Sequence, residues 1–314
     1  MAIVTVMGAT GRQGMAQIRQ LLAAGHTPRA VSRRENPFAG TPFETVETVT
    51  ANLADDASMA RAFRGADFVF HTQPYLDITP RSEMLTRLGQ LAARENVKRF
   101  VWNTSCWIPE RGPGDYGIYS ANTDGLNALF RSGVPATVLG PILFMDNLLT
   151  DWARPFIVNE DRYVYPHQPH LAANWISLDD VAKCMIACLD RPDLEGSWLN
   201  LGGPERIEPP KVAEILSETL GRQIKYDPCT PEEFGEYLVS AFAKSGDVPE
   251  AYADAYKARV AEFYAFNNSS PLKPFEVDID FQMNRLPVEL ETLSHWCARQ
   301  DWTASSEVLR APAG

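Results

Sequence analysis

Positive charge is the first thing this sequence is short of. Its 314 residues hold 29 Lys and Arg against 40 Asp and Glu, a formal net charge of -11 and a pI near 5.0. Nucleic acid is argued against as a direct partner, because phosphate binding needs a basic surface. Cysteine is scarce as well. The five are Cys106, Cys184, Cys188, Cys229 and Cys297, an odd number with no Cys-x-x-Cys pair. Neither a disulfide framework nor a cysteine zinc site is indicated. Cys184 and Cys188 lie one helical turn apart and read as small core residues. His167 and His170 stand three apart with no carboxylate or third histidine at ligand spacing, so no metal is expected. No run approaches the ~20 apolar residues of a membrane span. No charged segment precedes Ile3-Val4-Thr5-Val6 as it would in a signal peptide. A cytoplasmic protein with no membrane partner is expected.

What is present begins at once. Ala2 to Met7 is a short apolar, β-branched run. Gly8-Ala9-Thr10-Gly11-Arg12-Gln13-Gly14 follows, and then an amphipathic run from Met15 to Leu22. Strand, glycine turn and helix in this order make a pyrophosphate cradle, with backbone N–H groups at a helix N-terminus. Gly8 makes the turn, Gly11 lets the backbone approach phosphate, and Gly14 lets helix pack on strand.

Further strands are predicted at 27–32, 45–50, 67–71, 98–102 and 136–139, alternating with helices opening at Asp55, spanning 80–95 and spanning 119–131. That alternation implies an α/β Rossmann fold, a doubly wound parallel sheet. A helix over 144–152, a loop or hairpin over 163–173, a helix capped by Ser177 and a strand over 197–201 follow. From Pro209 the chain reads as mostly helical, over 211–220, 231–243, 249–266 and 287–297, with a short strand at 223–226. Asn267 to Pro271 reads as a turn, and the segment after Trp302 as a frayed tail. The expected division is a nucleotide-binding domain from 1–155 and 172–206, and a smaller, mostly helical substrate-binding lid from 156–171 and 207–314.

Ligands of such sheets lie beyond the carboxyl ends of the strands. The candidate cofactor residues are therefore Gly8, Thr10, Gly11, Arg12, Gln13 and Gly14; Ser32, Arg33 and Arg34; Asn52 and Leu53; His71, Thr72 and Gln73; Asn103 and Thr104; and Pro141. An acidic residue at the end of the second strand would meet the ribose 2′-OH of NAD, whereas arginine accommodates the 2′-phosphate of NADP. Arg33 and Arg34 favour NADP, with a solvated basic loop as the alternative. His71 is a candidate proton donor or a packed strand-end histidine. Tyr75, Trp107 and Phe144 are either walls of an aromatic substrate pocket or ordinary core.

The glycine turn, Lys98-Arg99-Phe100-Val101, Ser132-Gly133-Val134-Pro135 and the stretch from Pro141 to Asn147 resemble the NmrA-like family of atypical short-chain dehydrogenase/reductases. So do Ile176 to Ala182, Gly202-Gly203-Pro204-Glu205 and Leu220-Gly221-Arg222. The resemblance implies an NADP-binding Rossmann domain, a small-molecule substrate, and Asn147 beside Phe144 at the substrate. It also implies one of two functions: an NADPH-dependent reductase of a small aromatic or conjugated electrophile, such as a quinone, enone or imine, or a non-catalytic sensor of NADP. The Tyr-x-x-x-Lys pair of short-chain dehydrogenases is missing. Tyr119 is followed four places on by Thr123, and counting back from Gly133 reaches Asn122 where some relatives keep a lysine. Gly140 replaces an arginine common before the proline. A phenol without a nearby cation stays neutral at pH 7 and donates a hydrogen bond but is a poor base. Tyr119, assisted by Ser105, is the expected proton donor to a reduced substrate.

Overall fold

The computed structural model describes residues 1–73, 79–110, 116–245 and 250–303. Its elements are β1 (Ile3–Val6), α1 (Arg12–Ala23), β2 (Thr27–Ser32), β3 (Glu47–Thr50), α2 (Asp56–Phe63), β4 (Phe68–Thr72), α3 (Arg81–Arg94), β5 (Arg99–Asn103), α4 (Ser120–Arg131) and β6 (Ala136–Pro141). The chain continues through α5 (Arg154–Glu160), β7 (Arg162–Tyr165), β8 (Ala173–Asn174), α6 (Leu178–Ala187), β9 (Ser197–Leu201), β10 (Arg206–Ile207), α7 (Pro209–Leu220) and β11 (Lys225–Pro228). It closes with α8 (Pro231–Ser245), α9 (Ala253–Ser269), α10 (Ile279–Arg285) and α11 (Leu293–Ala298).

Seven strands form one sheet in the order β3-β2-β1-β4-β5-β6-β9, every pair parallel. The strand order reverses between β1 and β4, which places a crevice at the carboxyl ends there. Strands buried on both faces need apolar side chains throughout, and β5 and β6 are buried along their whole length. One face is closed by α1 and α6, whose Ile18, Leu21, Val181 and Met185 pack on Val4, Val6 and Phe70. The other is closed by α2, α3 and α4 through Met59, Phe63, Leu85, Leu88 and Leu129. A third, aromatic-rich core joins β7 to the C-terminal helical region.

Four local readings are corrected. The helix expected over 144–152 is a 3-10 turn at Met145–Leu149, and α5 starts only at Arg154. Here Met145, Leu148 and Leu149 are all buried while Met145 N–H bonds the Ile176 carbonyl, so the segment is fitted to the extended chain at Ile176 rather than to helical period. The stretch 163–173, read as a loop or hairpin, holds two strands that do not pair with each other: β7 pairs in parallel with β11, and β8 pairs antiparallel with β10. Both partners lie far along the chain, where no local signal points to them. The helix expected over 287–297 is confined to α11, and α10 was not foreseen. Gln282 is the buried residue of α10, and Phe281 is exposed, so it carries no apolar stripe to read. Finally, Asn267 to Ser269 end α9 instead of forming a turn. The expected tail beyond residue 303 lies outside the described residues.

Candidate functional site

The glycine turn sits at the carboxyl end of β1, and each glycine is needed for a different reason. Gly8 adopts φ +67°, a left-handed conformation that favours glycine. A Cβ on Gly14 would lie 2.3 Å from the Gly8 carbonyl oxygen and 2.6 Å from Ala9 Cα, so α1 packs directly on the turn. Gly11 is different. Its backbone is extended (φ -79°, ψ 165°), and a Cβ there would meet only the Gly8 carbonyl oxygen, at 3.4 Å. Nothing in the folded chain demands glycine at this exposed position. What a Cβ would fill is the space over the N-terminus of α1, which no side chain caps. Uncapped N–H groups behind such a space fit an anion.

A closed ring of side-chain hydrogen bonds joins this turn to the end of β5. Asn103 Nδ2 donates to Gln13 Oε1 at 2.7 Å, and Gln13 Nε2 donates to Ser105 Oγ at 2.9 Å. Ser105 N–H returns to Asn103 Oδ1 at 2.8 Å. Ser105 holds φ +58°, a left-handed backbone that a non-glycine residue adopts at a cost. Thr104 is buried, and its hydroxyl bonds the carbonyls of Cys106 and Leu139.

The other expected residues fall as follows. Ser32 is buried at the end of β2 and its Oγ accepts from Arg34 N–H at 3.0 Å, while Arg33 is exposed. Asn52 turns the chain after β3 by accepting Ala54 N–H, and the Leu53 carbonyl accepts from Arg87. His71 is buried edge-on to Phe100, Thr72 accepts from Gln17 Nε2, and Gln73 N–H continues the β5 ladder to Asn103. Arg12 does not extend into the crevice from the turn. It donates to the Asp146 carbonyl, and burial lowers its guanidinium pKa. Burial likewise raises the Asp146 carboxyl against the pull of Arg12. Pro141 is buried at the end of β6, and Phe144 beyond it packs half-buried on the core under α6. Asn147 Nδ2 faces Tyr165 Oη at 3.4 Å. Tyr75 lies outside the described residues.

Tyr119 and Trp107 are drawn away from the ring. Tyr119 is fully buried, with Trp107, Phe263 and Phe266 around its phenol. Its hydroxyl donates to Asn267 Oδ1 at 3.0 Å, and burial raises its pKa well above the usual phenol value. Trp107 is 3% exposed and packs edge-on against Tyr116 and Tyr119. Sequence spacing placed both at strand or helix ends but gave no sign of α9 closing over them.

Two fixtures of the loop after β5 have roles that the sequence did not show. Asn200 on β9 grips Ile108 twice, Oδ1 accepting its N–H at 2.8 Å and Nδ2 donating to its carbonyl at 2.9 Å. A Cβ on Gly140 would come within 2.5 Å of that Oδ1, so the glycine in place of arginine makes room for the grip. Asn122 on α4 donates to the Trp107 carbonyl at 2.7 Å. Among the described residues no group of three metal-ligating side chains occurs, and no helix is long and apolar enough to cross a membrane.

A model of the NmrA-like family matches residues 2–297. The chain is 25% identical over 253 residues to an NAD(P)H azoreductase of Xenophilus azovorans, covering 81% of this chain and 84% of the relative. It is 30% identical over 229 residues to a (4-alkanoyl-5-oxo-2,5-dihydrofuran-3-yl)methyl phosphate reductase of Streptomyces griseus, covering 72% of this chain and 76% of that one. The crystal structure of a Citrobacter sp. triphenylmethane reductase complexed with NADP(H) superposes with a TM-score of 0.73 at 21% identity, over 95% of this chain and 99% of the other. At that identity the likeness is one of fold.

Proposed function

Given that the chain belongs to the NmrA-like family, we propose that it is an NADPH-dependent reductase of a small aromatic or conjugated electrophile of the quinone, enone or imine type. The observation that carries the reading is the Gln13–Asn103–Ser105 ring, which ties the glycine turn to a backbone held at φ +58° where β5 ends. Strain of this kind is kept where function uses it. The two named relatives are reductases of an azo group and of a conjugated furanone, both electrophiles with extended conjugation.

The residues divide the work. The N-terminus of α1 with Gly8, Gly11 and Gly14 receives the pyrophosphate, and Arg33 and Arg34 receive the 2′-phosphate. When bound, NADPH supplies a hydride. A conjugated acceptor spreads the charge that arrives, so placement matters more than a strong protein acid. Ser105 Oγ already accepts from Gln13, which leaves its own proton to donate. We assign proton donation to Ser105 rather than to Tyr119, whose hydroxyl is enclosed and committed to Asn267.

The test is NADPH oxidation against a panel of quinones, enones and imines. Turnover of at least one class is expected, with Ser105→Ala slower by ~10²-fold, as for a lost general acid. Tyr119→Phe should stay within about threefold of wild type in kcat, since it removes only a bond made inside the core. The enclosed Tyr119 and the lack of a lysine on α4 favour a second reading, a non-catalytic NADP sensor. Tight NADPH binding with turnover of no acceptor would establish it.

A further inference from the structure

Arg81 is the first residue of α3, directly after Pro80. A cation in the first turn opposes the helix dipole. Nor does helix packing call for it, because α3 is buried through Met84, Leu85, Leu88 and Leu91. The half-buried side chain instead crosses to α4 and donates to Asn122 Oδ1. Asn122 is itself fully buried. Its amide passes the connection on, donating to the Trp107 carbonyl at 2.7 Å and to Cys106 Sγ at 3.2 Å. Burial lowers the guanidinium pKa, with the Cys106 thiol beside it and the Arg259 cation opposing it. Among the described residues an amide and a sulfur hold this half-buried cation, an arrangement that stability alone does not favour.

Both contacts of Asn122 fall on the two residues after Ser105. With the reductase reading as its premise, we infer that Arg81 is a positioning residue: through Asn122 it fixes the 106–107 backbone so that Ser105 keeps the left-handed conformation in which Gln13 reaches its hydroxyl. In this role Arg81 contacts neither substrate nor cofactor. It acts at one remove, from the helix on the far side of α4, and its loss should misplace Ser105 without emptying the nucleotide cradle. Misplacement of a reacting group by about 1 Å costs up to ~10²-fold in rate.

Three variants test this: Arg81→Met, Arg81→Lys and Asn122→Ala. Arg81→Met should lower kcat with a quinone acceptor on the order of 10–100-fold, while the Kd for NADPH and the melting temperature stay near wild type. Arg81→Lys keeps a charged donor and should recover most of the rate. Amide hydrogen exchange over residues 104–108 should accelerate in Arg81→Met and Asn122→Ala, with β1 and α1 unchanged. Wild-type kcat in Arg81→Met would overturn the inference. So would a loss of NADPH affinity and stability in step with kcat, which marks a merely structural residue. If the wild-type protein reduces no acceptor, the reductase reading fails by itself. The exchange experiment then decides alone: unaltered protection of 104–108 in Arg81→Met refutes the positioning role, and selective loss of it supports the role.

Discussion

At the end of β2 two arginines follow a buried serine whose hydroxyl pins the turn by accepting Arg34 N–H. Glu35, the nearest carboxylate in sequence, is exposed beyond them. A 2′-phosphate brings about two negative charges, which a guanidinium meets with paired, charge-assisted hydrogen bonds. Losing one such bond costs ~1.5–3 kcal/mol, roughly a ten- to hundredfold loss of affinity. The double change Arg33→Ala, Arg34→Ala should weaken NADPH by that much or more and NADH hardly at all. Calorimetric titration of both cofactors into wild type and variant measures it. Equal NADH and NADPH affinity in the wild type would mean the pair is a solvated loop. The place of these two arginines was legible in sequence because it depends only on where β2 ends. The enclosure of Tyr119 was not, because it depends on Asn267, 148 residues away on α9. Nor was the partner of Arg12, since the carbonyl that takes its guanidinium belongs to Asp146.

Among elements, β1, the glycine turn and α1 form the unit whose parts can be separated by experiment. Gly14 faces backbone at 2.3 Å and 2.6 Å, which cannot yield as a flexible side chain would. Gly14→Ala should therefore lift α1 from the turn, costing ~1–3 kcal/mol of stability and NADPH affinity with it. Gly11→Ala should do the opposite. Its backbone suits alanine and the space is open on the protein side, so urea unfolding should show no loss, or a slight gain from a stiffer unfolded chain. NADPH affinity should nevertheless fall at least tenfold by fluorescence titration, because the new methyl occupies the phosphate's place. Undiminished affinity in Gly11→Ala would remove the pyrophosphate from this turn. The central sheet strands were readable from sequence as short, nearly continuous buried runs, and their flanking helices by one periodic apolar face each. The capping of α6 by Ser177, which accepts Asp180 N–H, was readable from four residues. What could not be read were elements that rest on distant partners, such as β7 on β11, or that bury almost nothing, such as α10.

On the scale of the whole molecule, the third core differs in kind from the two that sandwich the sheet. It is built of rings, and it encloses a histidine. His167 is 2% exposed among Tyr165, Phe275, Tyr264 and Trp175, with ring centroids 4.6, 5.1, 5.7 and 6.3 Å away. Neither ring nitrogen has a hydrogen-bond partner among the described residues, and burial lowers its pKa to about 3. The imidazole is thus neutral in the folded protein through the whole mildly acidic range. In the unfolded chain it takes up a proton near pH 6.5. Between those two values the unfolded state binds more protons than the folded one, so stability falls as the pH is lowered. Above about pH 6.5 the effect vanishes, because both states are neutral. At pH 5 this one residue should cost about 2 kcal/mol. His167→Phe keeps a flat ring in the aromatic box and removes the proton site. Urea unfolding of both proteins at pH 7.5 and pH 5 should show the wild type losing about 2 kcal/mol more than the variant. Other titrating groups, Asp146 and Asp180 among them, act alike in both proteins and cancel in the difference. An equal loss in the two would mean that the folded box opens to admit the proton, and that the C-terminal core is looser than its packing implies.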